Sequence, residues 1–384
     1  MLSLQRSDWP LLPNIHFLNH GSFGATPYAL LRTQHEWRLR LEQQPVQFHL
    51  ELPSLMAEAR THLAQYLGCG VNDVIYVENS TFGCNVAFHA LARMVDASSQ
   101  IVTTDHEYGA CIRALRNHVG PTGASVVTVD LPIPIPSRAD VAQRIIDAFT
   151  PQTRAVFLSH ITSPTGAQMP VEEVVAEARR RGIISIIDGS HAPGHIALDL
   201  ATLGADIYTG NCHKWMCTPK GSAFLFVNPQ VQERVPPLVT SWGMDGTGLR
   251  ASAFVDEHEY LGTRDPSAFL TVPDAIAWMA RNTWPMVQLH GQHLVRMAVD
   301  AMVDDGLGVP VLTQAAERTL QMDAAVLHAD VDVVALKKRL YDHYAVEVVI
   351  HRWKGAPIVR VSAHAHTTQS DIDALRSALR TELL

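Results

Sequence analysis

Short apolar runs of strand character recur through the first 230 residues and constrain the fold more than any other feature. They lie at 74–78, 101–105, 125–131, 155–161, 183–188, 206–210 and 222–227. Apolar residues at helical spacing fill several of the intervals, at 85–95, 139–150 and 171–182. This alternation predicts an α/β domain with a mainly parallel sheet. Continuously apolar strands are typical of a sheet that is covered on both faces.

The pattern changes after residue 227. The segment 229–249 is rich in proline and glycine and predicts loops, and a long helical stretch follows at about 268–304. Mixed strand and helix patterns towards the end predict a smaller α+β domain. We therefore expect an N-terminal segment at 1–20 that packs near the site and the small domain, a large ligand-binding domain at 21–265, and a linking helix with the small domain at 266–384.

Charge and composition exclude several classes of protein. The 384 residues carry a net charge of −8, which argues against a nucleic-acid or anionic membrane surface. There is no apolar stretch of about 18 residues and no apolar N-terminal run of the signal-peptide kind. We therefore expect a cytoplasmic protein that is not attached to a membrane. The five cysteines form no CxxC pair, which favours reduced thiols over a disulfide framework or a zinc site.

Polar residues stand where three of the predicted strands end. Asn79, Ser80 and Thr81 open a helix after the first strand, Asp188 ends the fifth, and Lys214 follows the sixth. Since ligands of open α/β sheets bind at the carboxyl ends of the strands, these residues belong to one rim. Each residue also has an ordinary structural explanation that involves no ligand, such as a simple helix cap or an aspartate that is hydrogen-bonded to its own turn.

Together the three features suit pyridoxal phosphate. A helix N-terminus with hydroxyl groups binds phosphate, an aspartate keeps the ring nitrogen protonated, and a lysine amine reacts with the aldehyde. A lysine in a desolvated, cationic site has a lowered pKa and serves as nucleophile and base. The sequence therefore predicts pyridoxal 5′-phosphate as cofactor.

Several segments also resemble a known family. They are FLNHGSFGATP (17–27), VENSTFGCN (77–85), DHEYGA (105–110), the run from DGSH to HKW (188–215), PKGSAFL (219–225) and YLGTRDPSA (260–268). The chain resembles the class V, fold type I pyridoxal-phosphate enzymes, and most of all their isopenicillin N epimerase branch. The resemblance implies a fold type I large domain with a mainly parallel seven-stranded sheet and a small α+β C-terminal domain.

The resemblance also implies roles for individual residues. Lys214 matches the Schiff-base lysine, which forms an aldimine with the cofactor. Asp188 matches the partner of the pyridinium nitrogen, and His191 matches a residue near the phenolic oxygen. Further cofactor contacts are implied for Ser80, Thr81, Phe82, Tyr108, Ser163, Asn211 and His213. Ser163 departs from the pattern, because relatives often have asparagine there.

Other matches concern the substrate and a second subunit. Arg360 matches the arginine that holds the substrate α-carboxylate, and Asn19 and His20 are implied to lie near the substrate. Thr263 matches a threonine that reaches the phosphate of the other subunit, which implies a homodimer with shared sites.

Two features limit the chemistry. A cysteine desulfurase needs a mobile cysteine towards the C-terminus, and in this sequence none follows Cys217. His364 and His366 form an H-x-H pair of the kind that can bind a metal, but no third ligand lies at a spacing typical of a metal-binding motif. We therefore expect these histidines to lie at the surface or to line a pocket, and we expect no bound metal.

These observations lead to one preferred activity and two alternatives. We expect an enzyme that acts on a small amino-acid-type substrate, deprotonating and reprotonating the α-carbon of an amino acid or a peptide that contains one, as an epimerase does. Epimerisation also requires a second acid–base group. The second possibility is a C–S lyase that eliminates a β-sulfur leaving group. A non-catalytic scaffold with the same fold is the third, and the retained Lys214, Asp188 and Arg360 argue against it.

Overall fold

A computed structural model describes residues 3–245 and 252–384 of the chain. Two parts of predicted segments lie outside the described residues. They are the end of the predicted loop region, 246–249, and the first two residues of the predicted N-terminal segment. The strands are β1 (His16–Phe17), β2 (Val74–Val77), β3 (Gln100–Thr104), β4 (Ser125–Val129), β5 (Thr153–Ser159), β6 (Ile184–Asp188), β7 (Ile207–Asn211), β8 (Ala223–Val227), β9 (Gly308–Pro310), β10 (Met322–Leu327), β11 (Val346–Glu347), β12 (Val349–Trp353) and β13 (Ala356–Ser362).

Helices connect most of these strands. They are α1 (His20–Phe23), α2 (Tyr28–Gln43), α3 (Pro45–Leu67), α4 (Ser80–Leu91), α5 (Gly109–Val119), α6 (Arg138–Asp147), α7 (Val171–Arg180), α8 (Leu200–Leu203), α9 (Ala253–Glu259), α10 (Ser267–Leu270), α11 (Val272–Arg281), α12 (Trp284–Asp304), α13 (Val333–Tyr344) and α14 (Gln369–Leu383).

The large sheet has seven strands in the order β2-β8-β7-β6-β5-β3-β4. Its strands run parallel except β8, which is antiparallel to both of its neighbours, β2 and β7. Consequently the carboxyl ends of β2, β6 and β7 lie at the same edge. The predicted α/β class and the mainly parallel seven-stranded sheet are confirmed.

Both faces of this sheet are buried. Alternate residues of β2 enter different cores: Val74 and Tyr76 pack with α3, whereas Ile75 and Val77 pack with residues of α4 and α5. This division follows from the two-residue period of a strand, and it explains why the strand sequences are continuously apolar.

A second sheet has the order β12-β13-β10-β9 and is antiparallel throughout. Helices α12, α13 and α14 contribute to a separate core against it. The N-terminal β1 pairs in parallel with β11, so the start of the chain is joined to its C-terminal part.

The predicted long helix at 268–304 is three helices, α10 to α12. Pro273 and Pro285 lie in the first turns of α11 and α12. Proline is tolerated there because the first N–H groups of a helix have no intrahelical partner, but it cannot continue a preceding helix. The two prolines therefore account for the breaks.

Candidate active site

Lys214 lies beside His191 at the carboxyl edge of the large sheet. Its Nζ is 3.3 Å from Nε2 of His191, and Nδ1 of that imidazole accepts a hydrogen bond from Nε1 of Trp215 at 3.3 Å. Because an indole N–H can only donate, Nδ1 must be unprotonated and the ring proton lies on Nε2. That proton points towards the lysine, an arrangement that suits an uncharged amine.

The electrostatic surroundings favour the same state. Burial, supported by the positive charge of Arg360, lowers the pKa of Lys214 to about 8, although the negative charge of Asp188 opposes the shift. Burial and the nearby lysine hold the pKa of His191 well below its usual value. The lysine is therefore far easier to deprotonate than one in water.

Asp188 ends β6 and is 2% exposed. Its Oδ1 accepts hydrogen bonds from the backbone N–H and hydroxyl of Ser190, at 3.0 and 2.5 Å. Its Oδ2 lies 3.6 Å from the Cys111 thiol, which donates to it. Among the described residues no lysine or arginine forms an ion pair with this carboxylate, so it is available to a cationic group of a ligand.

The start of α4 forms a cradle of polar groups. Asn79 is the helix cap, and its side chain accepts a hydrogen bond from the Phe82 N–H at 2.9 Å. Asn211 accepts one from the Ser80 N–H at 2.9 Å and so joins the helix to β7. The Ser80 hydroxyl is buried and has no partner within the described chain. A buried, unpaired hydroxyl at a helix N-terminus is suited to an anion.

Gly83 allows this helix to lie close to the sheet. A Cβ at this position would be 2.2 Å from Oγ1 of Thr209 on β7. Only glycine therefore fits, and its absent side chain brings the N-terminus of α4 to the strand that precedes Lys214.

Arg360 projects from β13 of the small sheet and is 3% exposed. One guanidinium nitrogen donates to the Ser163 carbonyl and, at 3.4 Å, to its hydroxyl, and another donates to the Ser22 hydroxyl at 3.1 Å. Burial lowers its pKa to about 10. No carboxylate pairs with it among the described residues, and its Nε has no partner. A substrate carboxylate would supply the missing charge.

The remaining predicted residues have different placements. Thr81 and Phe82 lie in the first turn of α4 and are partly buried, and Tyr108 is half exposed at the start of α5. His213 donates from Nδ1 to the Ser222 carbonyl at 2.7 Å, and burial lowers its pKa to about 4. Thr263 is exposed and forms no hydrogen bond with the other predicted site residues in the described part of the chain.

Asn19 and His20 contact residues that belong to the site or support it. Asn19 accepts a hydrogen bond from Ser22 at 2.5 Å and donates to Glu347 at 2.8 Å, so it supports the serine that contacts Arg360. His20 is fully buried, with Nε2 at 3.1 Å from the Lys214 carbonyl oxygen. The contacts observed for these two residues are with other residues of the chain. Their direct contact with the substrate stays a prediction.

Three contributors were not found from the sequence. Trp215 was given no role in the sequence analysis, but it orients His191. Ser22 and Cys111 were not assigned, although they contact Arg360 and Asp188. The tryptophan directly after the lysine was the one available signal. The other two contacts join residues 338 and 77 positions apart.

Comparison with known proteins shows the family of the chain. The chain belongs to the class V aminotransferase family, since the model of the Aminotransferase class-V family matches residues 35–375. It is 30% identical over 382 residues to isopenicillin N epimerase of Streptomyces clavuligerus, covering 96% of this chain and 94% of that relative. Identity to isopenicillin N epimerase of Amycolatopsis lactamdurans is 31% over 393 residues, covering 98% and 97%. L-cysteine desulfhydrase of Arabidopsis thaliana is 27% identical over 406 residues, covering 96% and 87%.

Solved structures share the fold. A variant of C-DES with glycine covalently linked to its PLP cofactor has a TM-score of 0.85 at 19% identity, covering 98% of this chain and 99% of that one. The cysteine desulfurase CsdA from Escherichia coli has a TM-score of 0.83 at 20% identity, covering 99% and 98%. The predicted fold type I architecture is confirmed, and the chain is a pyridoxal-phosphate-dependent enzyme of class V.

The site residues fit this cofactor. Among the described residues the Ser80 hydroxyl is unpaired and Asp188 has no cationic partner, so the α4 N-terminus suits the phosphate and the carboxylate suits the ring nitrogen. Lys214 has the lowered pKa of a reactive amine. Within the described residues, no helix combines the length and the apolar character needed to cross a membrane.

Proposed function

We propose that the protein is an epimerase acting at the α-carbon of an amino acid or of a peptide that contains one. The observation that carries this proposal is the combination of Lys214, with its pKa near 8, and the buried Arg360, whose charge acts on it. Lys214 moves the proton, and Arg360 holds the substrate carboxylate that is bonded to the carbon losing that proton.

Each residue has a defined task in this proposal. Bound pyridoxal phosphate supplies the electron sink for the charge left at the α-carbon. Asp188 holds a proton at the ring nitrogen, and Ser80 with the α4 N-terminus binds the phosphate. Arg360 binds the substrate α-carboxylate, and Lys214 accepts the α-proton at Nζ.

The preference for epimerisation rests on the two isopenicillin N epimerases, which are 30% and 31% identical to nearly the whole chain. The test is incubation of the cofactor-loaded protein with isopenicillin N and a panel of L-amino acids in deuterated water. Inversion with deuterium at the α-carbon, without pyruvate, is expected. Lys214→Ala should abolish exchange, and Arg360→Ala should raise KM for every substrate of the panel, because each of them carries an α-carboxylate. Absence of exchange with every substrate contradicts the proposal.

C–S lysis is the second candidate, because L-cysteine desulfhydrase of Arabidopsis thaliana is also similar to nearly the whole chain. Pyruvate released from cysteine or its conjugates in the same experiment supports lysis and excludes simple epimerisation. A persulfide on the enzyme is not expected, since no cysteine follows Cys217 in this sequence.

We also propose a homodimer in which Thr263 of each subunit reaches the phosphate at its partner's site. Its exposure on the single chain leaves its hydroxyl accessible to such a contact. Light scattering should give twice the chain mass, and Thr263→Val should weaken cofactor binding without dissociating the dimer. A monomer that binds the cofactor fully contradicts this arrangement.

A further inference from the structure

Two buried thiols lie where three elements of the cofactor site meet. Cys84 is in α4, one turn after Ser80, and Cys111 is in the first turn of α5. Asp188 ends β6. The two sulfur atoms and one carboxylate oxygen of Asp188 all lie within 4.8 Å of one another. The packing of α4 and α5 on the sheet therefore brings thiols against the carboxylate that was assigned to the cofactor ring.

The two oxygens of the Asp188 carboxylate are held in different ways. Oδ1 accepts both of its hydrogen bonds from Ser190, two residues further along the same turn. Bonds of this kind form within the turn itself and leave the carboxylate able to pivot about Oδ1. Oδ2 has one hydrogen-bond donor among the described residues, the Cys111 thiol at 3.6 Å. Cys111 therefore fixes the second oxygen, and it does so from a different element.

The surroundings of Cys111 keep the proton on its sulfur. Cys84 and Cys111 are 0% and 1% exposed and share an apolar core with Phe157 and Ile186. A hydrogen bond from Cys84 lowers the pKa of Cys111, but burial and the negative charge of Asp188 outweigh it and raise that pKa above its usual value. Cys111 is therefore a thiol at neutral pH and can donate to the carboxylate.

A thiol suits this position in the core. Free cysteine is among the most often buried residues and packs as a small apolar side chain. Its S–H group is a weak donor, but a hydrogen bond to a charged acceptor gains strength where water is excluded. Cys111 can therefore fill the core beside Asp188 and orient the carboxylate at the same time.

We propose that Cys111 is a positioning residue, whose thiol keeps the Asp188 carboxylate in the fixed orientation that a hydrogen bond with the ring nitrogen of bound pyridoxal phosphate requires. This inference rests on the role given to Asp188 under the proposed function. It adds that the turn after β6 does not orient the carboxylate alone and that α5 supplies a donor from 77 positions away.

Infrared spectroscopy of the full chain observes the hydrogen bond directly. The S–H stretching band of Cys111 is the band that Cys111→Ala removes. Hydrogen bonding lowers the frequency of an S–H stretch, so this band should move to higher frequency in Asp188→Ala, where the acceptor is missing. A Cys111 band at the same frequency in Asp188→Ala and in the unaltered protein would overturn the proposal.

Cofactor binding tests whether the thiol acts through Asp188. Cys111→Ala should weaken the binding of pyridoxal phosphate about threefold to tenfold, less than the loss of an ordinary hydrogen bond to a charged group, because a thiol is a weak donor. Cys111→Ser retains a donor and should recover part of this loss. Asp188→Ala should bind more than about tenfold more weakly, and adding Cys111→Ala to it should cause no further loss. Titration followed by the visible absorbance of the bound cofactor measures each affinity.

Cys84→Ala is the matched control, because it removes a thiol from the same core and leaves the contact between Cys111 and Asp188 in place. It should bind the cofactor almost as tightly as the unaltered protein. Equal weakening in Cys84→Ala and Cys111→Ala, or an equal effect of Cys111→Ala with and without Asp188, would mean that only packing is affected and would overturn the proposal.

The Asp188→Ala variant separates this inference from the role on which it rests. Tight cofactor binding by Asp188→Ala would contradict the role of Asp188 and the inference together. Weak binding by Asp188→Ala, combined with unchanged binding by Cys111→Ala, would overturn the positioning role of Cys111 alone.

Discussion

At the scale of single residues, the reactivity of the site depends on where one proton lies on His191. Trp215 donates to Nδ1, so the imidazole presents N–H, not a lone pair, to Lys214. An ammonium group would meet that N–H unfavourably. The contact therefore adds to burial as a reason for the lysine to lose its proton, and it links the packing residue Trp215 to the chemistry.

The lowered pKa of Lys214 can be measured directly in the cofactor-free protein. Only the uncharged amine reacts with acetic anhydride, so labelling of Lys214 should rise with pH and reach half its maximum near pH 8. An unperturbed lysine reaches that point near pH 10.4. Mass spectrometry of the labelled peptides gives the curve. Asp188→Asn removes a negative charge that favours the ammonium form and should move the midpoint to lower pH. A Lys214 midpoint near pH 10.4 contradicts the site described above.

Trp215→Phe tests the orienting role of the indole. Without its N–H, Nδ1 of His191 loses its donor and the ring is free to change tautomer. Loss of a buried hydrogen bond costs about 1–3 kcal/mol, so kcat should fall roughly tenfold or more while KM changes little. Trp284→Phe is the matched control, because its indole N–H donates at 2.7 Å to the Gly194 carbonyl and not to His191. Equal losses in both variants would mean that only packing is affected.

At the scale of elements, α4 combines a structural cap with the proposed phosphate cradle. Asn79→Ala removes the cap and should destabilise the cofactor-free protein by about 1 kcal/mol. Asn79→Asp keeps an acceptor oxygen and should preserve that stability, yet its negative charge should weaken pyridoxal-phosphate binding. Denaturant unfolding and cofactor titration separate the two effects. If Asn79→Asp binds the cofactor as tightly as the unaltered protein, the phosphate does not lie at this helix.

The sequence was informative where order along the chain determines position in space. Asp188 ends one strand of the mainly parallel sheet and Lys214 follows another, so their common edge could be predicted from the sequence. The helices α2 and α3 were not predicted, and α3 carries an internal Pro53 that obscures its pattern. Contacts such as Ser22 with Arg360, Cys111 with Asp188, and His20 with His366 join distant segments. No local period encodes such contacts, because they depend on how separate elements pack against one another in three dimensions.

At the scale of the whole molecule, the site is divided between two sheets. Lys214 and Asp188 belong to the large one, and Arg360 belongs to the small one. The turn between β12 and β13 contributes to their connection. Lys354 pairs with Asp105 and, at 2.5 Å, with Asp130, which follow β3 and β4 of the large sheet, and Trp353 lies 4.4 Å from the ring of His106. The relative position of the two sheets should therefore set how well Arg360 holds a carboxylate above Lys214.

Lys354→Met tests this dependence because it removes the ammonium group and keeps the apolar stem of the side chain. Partly buried Asp105 would lose its cation, and the expected loss of stability is about 1 kcal/mol, smaller at high salt. Lys338→Met is the control: its pair with Asp342 is exposed and lies within one helix, so it should cost no more than about 0.5 kcal/mol. Because Arg360 moves with the small sheet, KM for the amino-acid substrate should rise in Lys354→Met while kcat is nearly retained. If instead kcat falls and KM stays constant, the turn acts on Lys214 and not on the position of Arg360.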